Sequence, residues 1–235
     1  MPLLPARFEL NDEGVPWSGA YGDVYHSASG AAEQTEHVFL AGNGLPERWQ
    51  KAGAFVIVET GFGLGLNFLH TWRRWRETRP AGGQLHYLSI EKHPFSREDL
   101  ALAHANAGAP AELAHLLQEH WPELSPGLHR LEFESEALTL SLGFGEVLEL
   151  LPCLEAKADA VFLDGFSPAQ NPDMWSAEVF EALAALSHAG TTLATWSVAG
   201  RVREGLRAAG FEVEQAPGFG GKRQMLKGRF GTRQA

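Results

Sequence analysis

Four carboxylates close short apolar runs: Glu59 ends AFVIVE, Glu91 ends LSIE, Glu146 follows SLGFG and Asp164 ends AVFLD. Such runs read as buried strands, and ligands of open α/β sheets bind outside the carboxyl ends of the strands. One acid there is as readily a turn former or a helix cap; four in one chain favour a site. Glu59 begins ETGFGLGLNF, where Gly61, Gly63 and Gly65 lead from a strand into a helix past Phe62 and Asn67. Glycines let the backbone approach a ligand, and a helix N-terminus favours negative charge. The spacing is not the dinucleotide fingerprint G-x-G-x-x-G. An acid before the first glycine suits a ligand carrying a cation and sits badly with a pyrophosphate. Glu91, followed by Lys92, can accept two hydrogen bonds from a ribose diol, and Glu146 is similarly placed.

Asp164 opens the stiffest segment of the chain, DGFSPAQNPDMW. Pro168 and Pro172 fix φ, and Phe166 offers an aromatic face. An aspartate in that setting can hydrogen-bond an amine and support a growing ammonium. Asn171 reads as a loop-shaping residue, and Met174 and Trp175 as packing. Lys222 and Arg223 in GFGGKRQML, backed by Arg201 and Arg203, are candidates for contact with phosphates. Asn43 in LAGNGLPERW and Tyr25 are weaker candidates for contact with a cofactor or a base. The ten histidines form no H-x-x-x-H pair with an acid, and Cys153 is alone, so no metal site is read. Cys153, after Pro152 in an apolar run, reads as half-buried filler.

These groups need a scaffold. From Ala54 onward β-like runs alternate with helical ones: GLNFLHTWRRWR, SREDLALAHANA with Ser96 as N-cap, GEVLELLPCLEA, SAEVFEALAALSHAG closed by Gly190, and AGRVREGLRAAG ended by Gly210. That alternation implies a mainly parallel sheet covered on both faces. FEVEQAP and KRQMLKGRF could make a final β pair, and GTRQA looks frayed. Residues 1–50 are expected to form a β-rich extension packed on a core domain of 51–235, being too short and polar to bury a core of their own.

The chain has 235 residues, 44% hydrophobic and 20% charged, with a net charge of −10. Taken whole, that charge argues against nucleic acid, whose affinity rests on neutralising phosphates. Its distribution softens the argument. Residues 1–50 carry −5, from seven acids and two bases, and residues 201–235 carry +5, from eight bases and three acids. TWRRWRETRP adds a second basic stretch; a solvated helix face explains it as well as an anion site does. One cysteine, no leader-like N-terminus and no apolar run long enough to span a bilayer favour a cytoplasmic protein.

Taken together, ETGFGLGLNF, LSIEKHPFSREDLALAH, VFLDGFSPAQNPDMW, TLATWSVAGRVREGLRAAGF and GFGGKRQML resemble the methyltransferase domain of the MnmC family and its stand-alone form, MnmD. The resemblance runs from about residue 8 to residue 230, and the D-G-F-x-P-x-x-N-P-D-M-W string is its most specific part. It implies a class I, Rossmann-like fold with a seven-stranded, mostly parallel sheet whose last strand is antiparallel. It implies S-adenosylmethionine as methyl donor and tRNA as substrate. The acceptor would be the primary amine of 5-aminomethyl-2-thiouridine at the wobble position. A FAD-dependent oxidase, fused in MnmC, would act upstream and has no room in these residues, so no FAD is expected here. The chain departs from the family pattern at Leu64, Glu146, Gln170, Gly221 and Gln224. Three competing readings remain: an NAD(P)-linked oxidoreductase, a methyltransferase for a small amine, and a non-catalytic RNA-binding module on the same fold.

Overall fold

A computed structural model describes residues 3–231. Its centre is a sheet of eight strands: β4 (Ala54–Thr60), β5 (Gln84–Glu91), β6 (Gly127–Phe133), β7 (Leu138–Phe144), β8 (Ala158–Leu163), β9 (Ser187–Thr195), β10 (Phe211–Pro217) and β11 (Gln224–Phe230). Before them, β1 (Glu9–Leu10), β2 (Pro16–Ser18) and β3 (Asp23–Val24) form a small antiparallel sheet. In the main sheet the order is β10-β11-β9-β8-β4-β5-β7-β6. The five inner strands β9, β8, β4, β5 and β7 are mutually parallel.

The expected seven strands are present, and the eighth is β6. It pairs antiparallel with β7 through a tight connection at Glu134–Glu136, which the runs HRLEF and LTLSLGF carry as two strands in sequence. FEVEQAP and QMLKGRF pair as anticipated, and β11 continues antiparallel onto β9.

The inner strands are apolar almost throughout because both faces are covered, as parallel sheets require. Alternate residues serve opposite cores. Phe55, Ile57, Leu85, Tyr87, Ala160 and Phe162 point to one side. That side is covered by α2 (Leu66–Thr78), α3 (Arg97–Ala107) and α4 (Ala111–Glu119). Val58, Leu88, Ile90, Val161 and Leu163 point to the other, under α5 (Val147–Leu150), α6 (Ala177–Leu186) and α7 (Gly200–Ala208). Ser96 caps α3 by accepting from Asp99 N at 3.1 Å. Helix α6 stops at Leu186, before the expected Gly190, because Ser187 turns straight into β9.

The N-terminal segment departs most from its β-rich reading. Strands end at Val24, and from Ala31 the chain is helical: α1 (Ala31–Gln34), a π-turn (Thr35–Leu40) and two 3₁₀ turns (Ala41–Asn43, Trp49–Lys51). Its Phe39, Leu40, Leu45 and Trp49 sit in the main core. Two other expectations also give way. Cys153 is exposed. The arginines of TWRRWRETRP are largely taken: Arg74 pairs with Glu36 and Glu77, Arg76 with Glu112 and Glu136, and Arg79 donates to Ser135 O. Of the tail GTRQA, residues 232–235 lie outside the described residues.

Arg48 fastens the helical segment to the sheet. Its guanidinium donates to Asn43 O, Thr192 Oγ1, Asp159 O and Gly190 O at 2.6–3.3 Å. Truncation leaves several of these acceptors without a donor. Arg48→Ala is expected to lower unfolding stability by about 2–3 kcal/mol, read as a lower denaturation midpoint at unchanged m-value.

Candidate active site

The carboxyl ends of β4, β5, β7 and β8 open into one cavity of about 400 Å³. It lies where the strand order reverses between β4 and β8, the place a doubly wound sheet leaves for a ligand. The two strand ends are locked together there. Thr60 Oγ1 donates to Asp164 O at 2.8 Å and accepts from Asp164 N at 3.1 Å. Gly61, at φ +76°, sits so close to the next turn that a Cβ would stand 3.2 Å from Gly165 Cα. Only glycine meets both conditions.

Asp164 is held by three donors. Gly165 N and Trp196 Nε1 donate to Oδ1 at 2.8 and 2.9 Å, and Asn67 Nδ2 donates to Oδ2 at 2.7 Å. A carboxylate oxygen accepts about two hydrogen bonds, so Oδ2 keeps one acceptor position on a group that lines the cavity. Burial raises its pKa to about 6, against the pull of these donors and of Lys222. Phe166 lines the cavity beside it, stacked on Tyr21 with ring centroids 4.6 Å apart and edge-on to Tyr25 at 5.0 Å.

Glu59 is not a cavity residue. It is fully buried, accepts from Asn67 Nδ2 at 2.9 Å and Ser89 Oγ at 2.7 Å, and reaches the site only through Asn67, which bridges it to Asp164. Burial, then the Asp164 charge, push its pKa up to about 8. The two acids are thereby set apart at neutral pH: Glu59 protonated, Asp164 ionised.

The glycine loop is not an anion cradle. Gly61 N and Phe62 N donate to Ile90 O, and Gly63 N donates to Glu91 Oε2 at 2.7 Å. Gly61, Phe62, Gly63 and Asn67 line the cavity. Gly65 does not, and packs under the Phe62 ring, where a Cβ would come within 2.7 Å. Glu91 faces the cavity with its second oxygen accepting from His93 N at 2.7 Å. Lys92 and Glu146 also line it, paired at 2.7 Å.

Several expected contacts lie elsewhere. Asn43 is buried and structural, donating to Phe39 O at 2.9 Å and accepting from Thr192 Oγ1 at 2.7 Å. Pro168 is buried off the cavity; Arg201 and Arg223 are exposed outside it, as a contact with phosphates requires. Lys222, expected on phosphate, lines the cavity instead. Met174 packs and also lines it, while Trp175 packs and donates to Phe166 O at 2.8 Å. The sequence reading missed most of one wall, formed by residues 21–35, and missed Trp196. Asp23 of β3 accepts from Ser167 N at 2.8 Å and pins that wall to the loop after β8. Tyr21 and Tyr25 are the members that their aromatic type could signal.

The cavity is lined by five carboxylates, Asp23, Glu91, Glu146, Asp164 and Asp173, against two lysines, Lys92 and Lys222. That balance opposes a pyrophosphate, and with it the NAD(P) reading. It fits a nucleoside bearing cationic groups.

The family model for an S-adenosyl-L-methionine-dependent methyltransferase matches residues 109–230, just over half the chain. The tRNA 5-methylaminomethyl-2-thiouridine biosynthesis bifunctional protein MnmC of Azoarcus sp. is 60% identical over 230 residues. The alignment covers 98% of this chain and 36% of that protein. The protein of the same name from Cupriavidus metallidurans is 56% identical, with 97% and 34% covered. The chain therefore spans about a third of the length of these relatives. The crystal structure of MNMC2 from Aquifex aeolicus superposes with a TM-score of 0.78 at 23% identity, over 97% of this chain and 70% of that one, and shows the same fold.

Glu59 generates a test of the site's electrostatics. Its folded pKa lies above its ordinary value of 4.5, so its stabilising contribution is complete below about 4.5 and is lost as pH rises through about 8. Glu59→Gln, which mimics the protonated form, is expected to melt close to wild type at pH 5 and several degrees above it at pH 9. Equal losses at both values would show that Glu59 is ionised in the fold.

Proposed function

Because the chain belongs to the S-adenosyl-L-methionine-dependent methyltransferases, we propose that it methylates the primary amine of 5-aminomethyl-2-thiouridine at the wobble position of tRNA, giving the 5-methylaminomethyl product. The names of relatives up to 60% identical support the substrate. The observation that carries the reading is Asp164, a carboxylate fixed by three donors with one acceptor position left toward an acid-lined cavity.

The residues present fit the donor. Glu91 stands at the end of β5, where a ribose diol would be held, and the surplus of carboxylates suits a molecule with sulfonium and ammonium groups. When bound, S-adenosylmethionine supplies an electrophilic methyl group. Gly61 and Gly63 line the space it would fill, and Asn67 keeps Asp164 turned to the cavity.

Asp164 accepts an N–H of the acceptor amine and so directs the nitrogen lone pair, and much of the acceleration comes from this placement. An amine of this type is an ammonium at neutral pH, with a pKa of roughly 10, and a carboxylate near 6 is too weak a base to hold its proton. The proton goes to water before attack. As the nitrogen gains charge during transfer, the Asp164 carboxylate stabilises it. Phe166 flanks the acceptor's uracil ring. The rest of the bifunctional relatives has no counterpart in these residues; we propose that a FAD-dependent oxidase supplies the amine, and that both act where tRNA matures, in the cytoplasm.

The test is transfer of labelled methyl from S-adenosylmethionine to tRNA carrying the wobble aminomethyl group, with fully modified tRNA as control. Label is expected only in the amine-bearing tRNA. Asp164→Asn should lower kcat by roughly 100-fold, and the wild-type kcat/KM should fall as pH drops below about 6, where Asp164 protonates. An Asn variant with wild-type kcat and only a displaced pH profile would refute the role of Asp164. Label on a free amine without tRNA would favour the small-amine reading, and tRNA binding without donor binding the non-catalytic one.

A further inference from the structure

The loop joining β10 to β11, residues 218–223, closes over the Asp164 end of the cavity. Gly218 N donates to Arg223 O at 3.2 Å and Lys222 N to Phe219 O at 3.1 Å. Gly220 and Gly221 take positive φ, and Gly220 lies against Ser27 and Ser29 of the opposite wall, where a Cβ would stand 2.6 Å from Ser27 Oγ and 3.1 Å from Ser29 Oγ. At its tip Lys222, an exposed residue, lays its ammonium back over the cavity mouth. Its Nζ is 3.5 Å from the centroid of the Trp196 ring. Lys92 and Lys227 have carboxylate partners and Lys157 a carbonyl; Lys222 has no oxygen partner among the described residues. The carboxylates of Asp164 and Asp23 attract it across the cavity, while burial lowers its pKa.

Trp196 is held so that it can serve this purpose. Its Nε1–H donates to Asp164, fixing the ring plane. Trp175 braces it edge-on, with centroids 6.0 Å apart and an angle of 77°. A cation over the face of that indole therefore lies beside the carboxylate that the reaction uses. The arrangement is a small cation site with one aromatic face and one acid, and a primary ammonium already lies over that face.

We propose that the face of Trp196 is the recognition site for the acceptor's alkylammonium group, and that Lys222 occupies it until the acceptor displaces it. The proposal rests on the amine-methylation reading above and adds a specificity residue to it. A primary amine entering toward Asp164 meets the same aromatic face, exchanges with the lysine, and swings the glycine-hinged loop outward. A neutral uridine has nothing to exchange. Lys222 is thereby an internal surrogate of the substrate and not the phosphate contact that its basic neighbourhood suggests.

The experiment reads Lys222 directly. The full chain, with S-adenosylhomocysteine bound, is acylated to low conversion with acetic anhydride, and modification of Lys222 is quantified by peptide mass spectrometry. The additions are 5-aminomethyluridine or, as control, uridine, and Lys222 is scored relative to Lys157 and Lys227, which lie off the cavity, because the free amine itself consumes reagent. The amine nucleoside is expected to raise acylation of Lys222 several-fold and uridine to leave it unchanged. Trp196→Leu should abolish the difference. Trp196→Phe, which keeps an aromatic face in a milder change, should retain it in part. In turnover with amine-bearing tRNA, Lys222→Met should lower KM by about 5-fold, the size of a cation–π contact at an exposed site, with kcat within twofold. Unchanged or reduced acylation with the amine nucleoside would overturn the proposal. So would a raised KM with a shallower salt dependence, the mark of a phosphate contact, or a collapse of kcat with a displaced pH profile, the mark of a proton acceptor. The labelling does not need turnover. Nucleoside-dependent exposure of Lys222 in a chain that transfers no methyl to tRNA would refute the reaction and leave the cation site standing.

Discussion

The site depends on the closeness with which β4 and β8 end side by side. One hydroxyl, on Thr60, both gives a proton to the Asp164 carbonyl and takes one from its amide. Two glycines, Gly61 and Gly165, meet where no side chain fits. Asp164 is thus fixed by backbone before any ligand arrives, and its side chain is then fixed by Gly165, Asn67 and Trp196. Preorganisation of this kind lets one carboxylate do electrostatic work at little reorganisation cost. Everything else lies outward from that junction: Glu91 on the next strand, Phe166 on the loop, and the N-terminal wall facing both.

Two acids bridged by one amide divide the labour. Burial and the neighbouring Asp164 charge push the pKa of Glu59 up to about 8, which makes it a neutral hydrogen-bonding group near neutrality. Asp164 opens to the cavity and keeps its charge near neutrality. Asn67 can serve both only because its own oxygen is engaged by Thr35 Oγ1 at 2.7 Å, which leaves its amide hydrogens to the two acids. A residue from the N-terminal segment thereby sets the orientation of the central bridge.

The order of strands and helices, the sheet's parallel centre and the acids at its carboxyl edge were legible in the sequence. They are written in local signals: apolar runs, the Ser96 cap, and acids that stop a strand. Less was legible where a residue's role depends on distant partners. Glu59 and Glu91 end adjacent strands, yet one turns inward to Ser89 and the other toward the cavity. Asn43 reads in sequence as a contact for a cofactor or a base and is a buried tie to Val161 and Thr192. The helical turns of 31–51 carry mixed propensities and take their form from the core that receives Phe39 and Trp49. The basic stretch at Arg73–Arg79 lost its meaning once Glu36, Glu112 and Glu136 were seen to come from three other segments.

The ties of the N-terminal segment bear on how the chain assembles. Asp23 waits for Ser167, His37 for Pro217 and Arg48 for Thr192, separations of 144, 180 and 144 residues. During synthesis that segment emerges long before the residues it ties to. Contacts so far apart along the chain slow folding. The cavity wall is therefore completed late in the folding of this domain: the sheet can form from Ala54 onward while Phe39, Leu40 and Trp49 remain uncovered, and in that interval they are apolar surface open to chaperones.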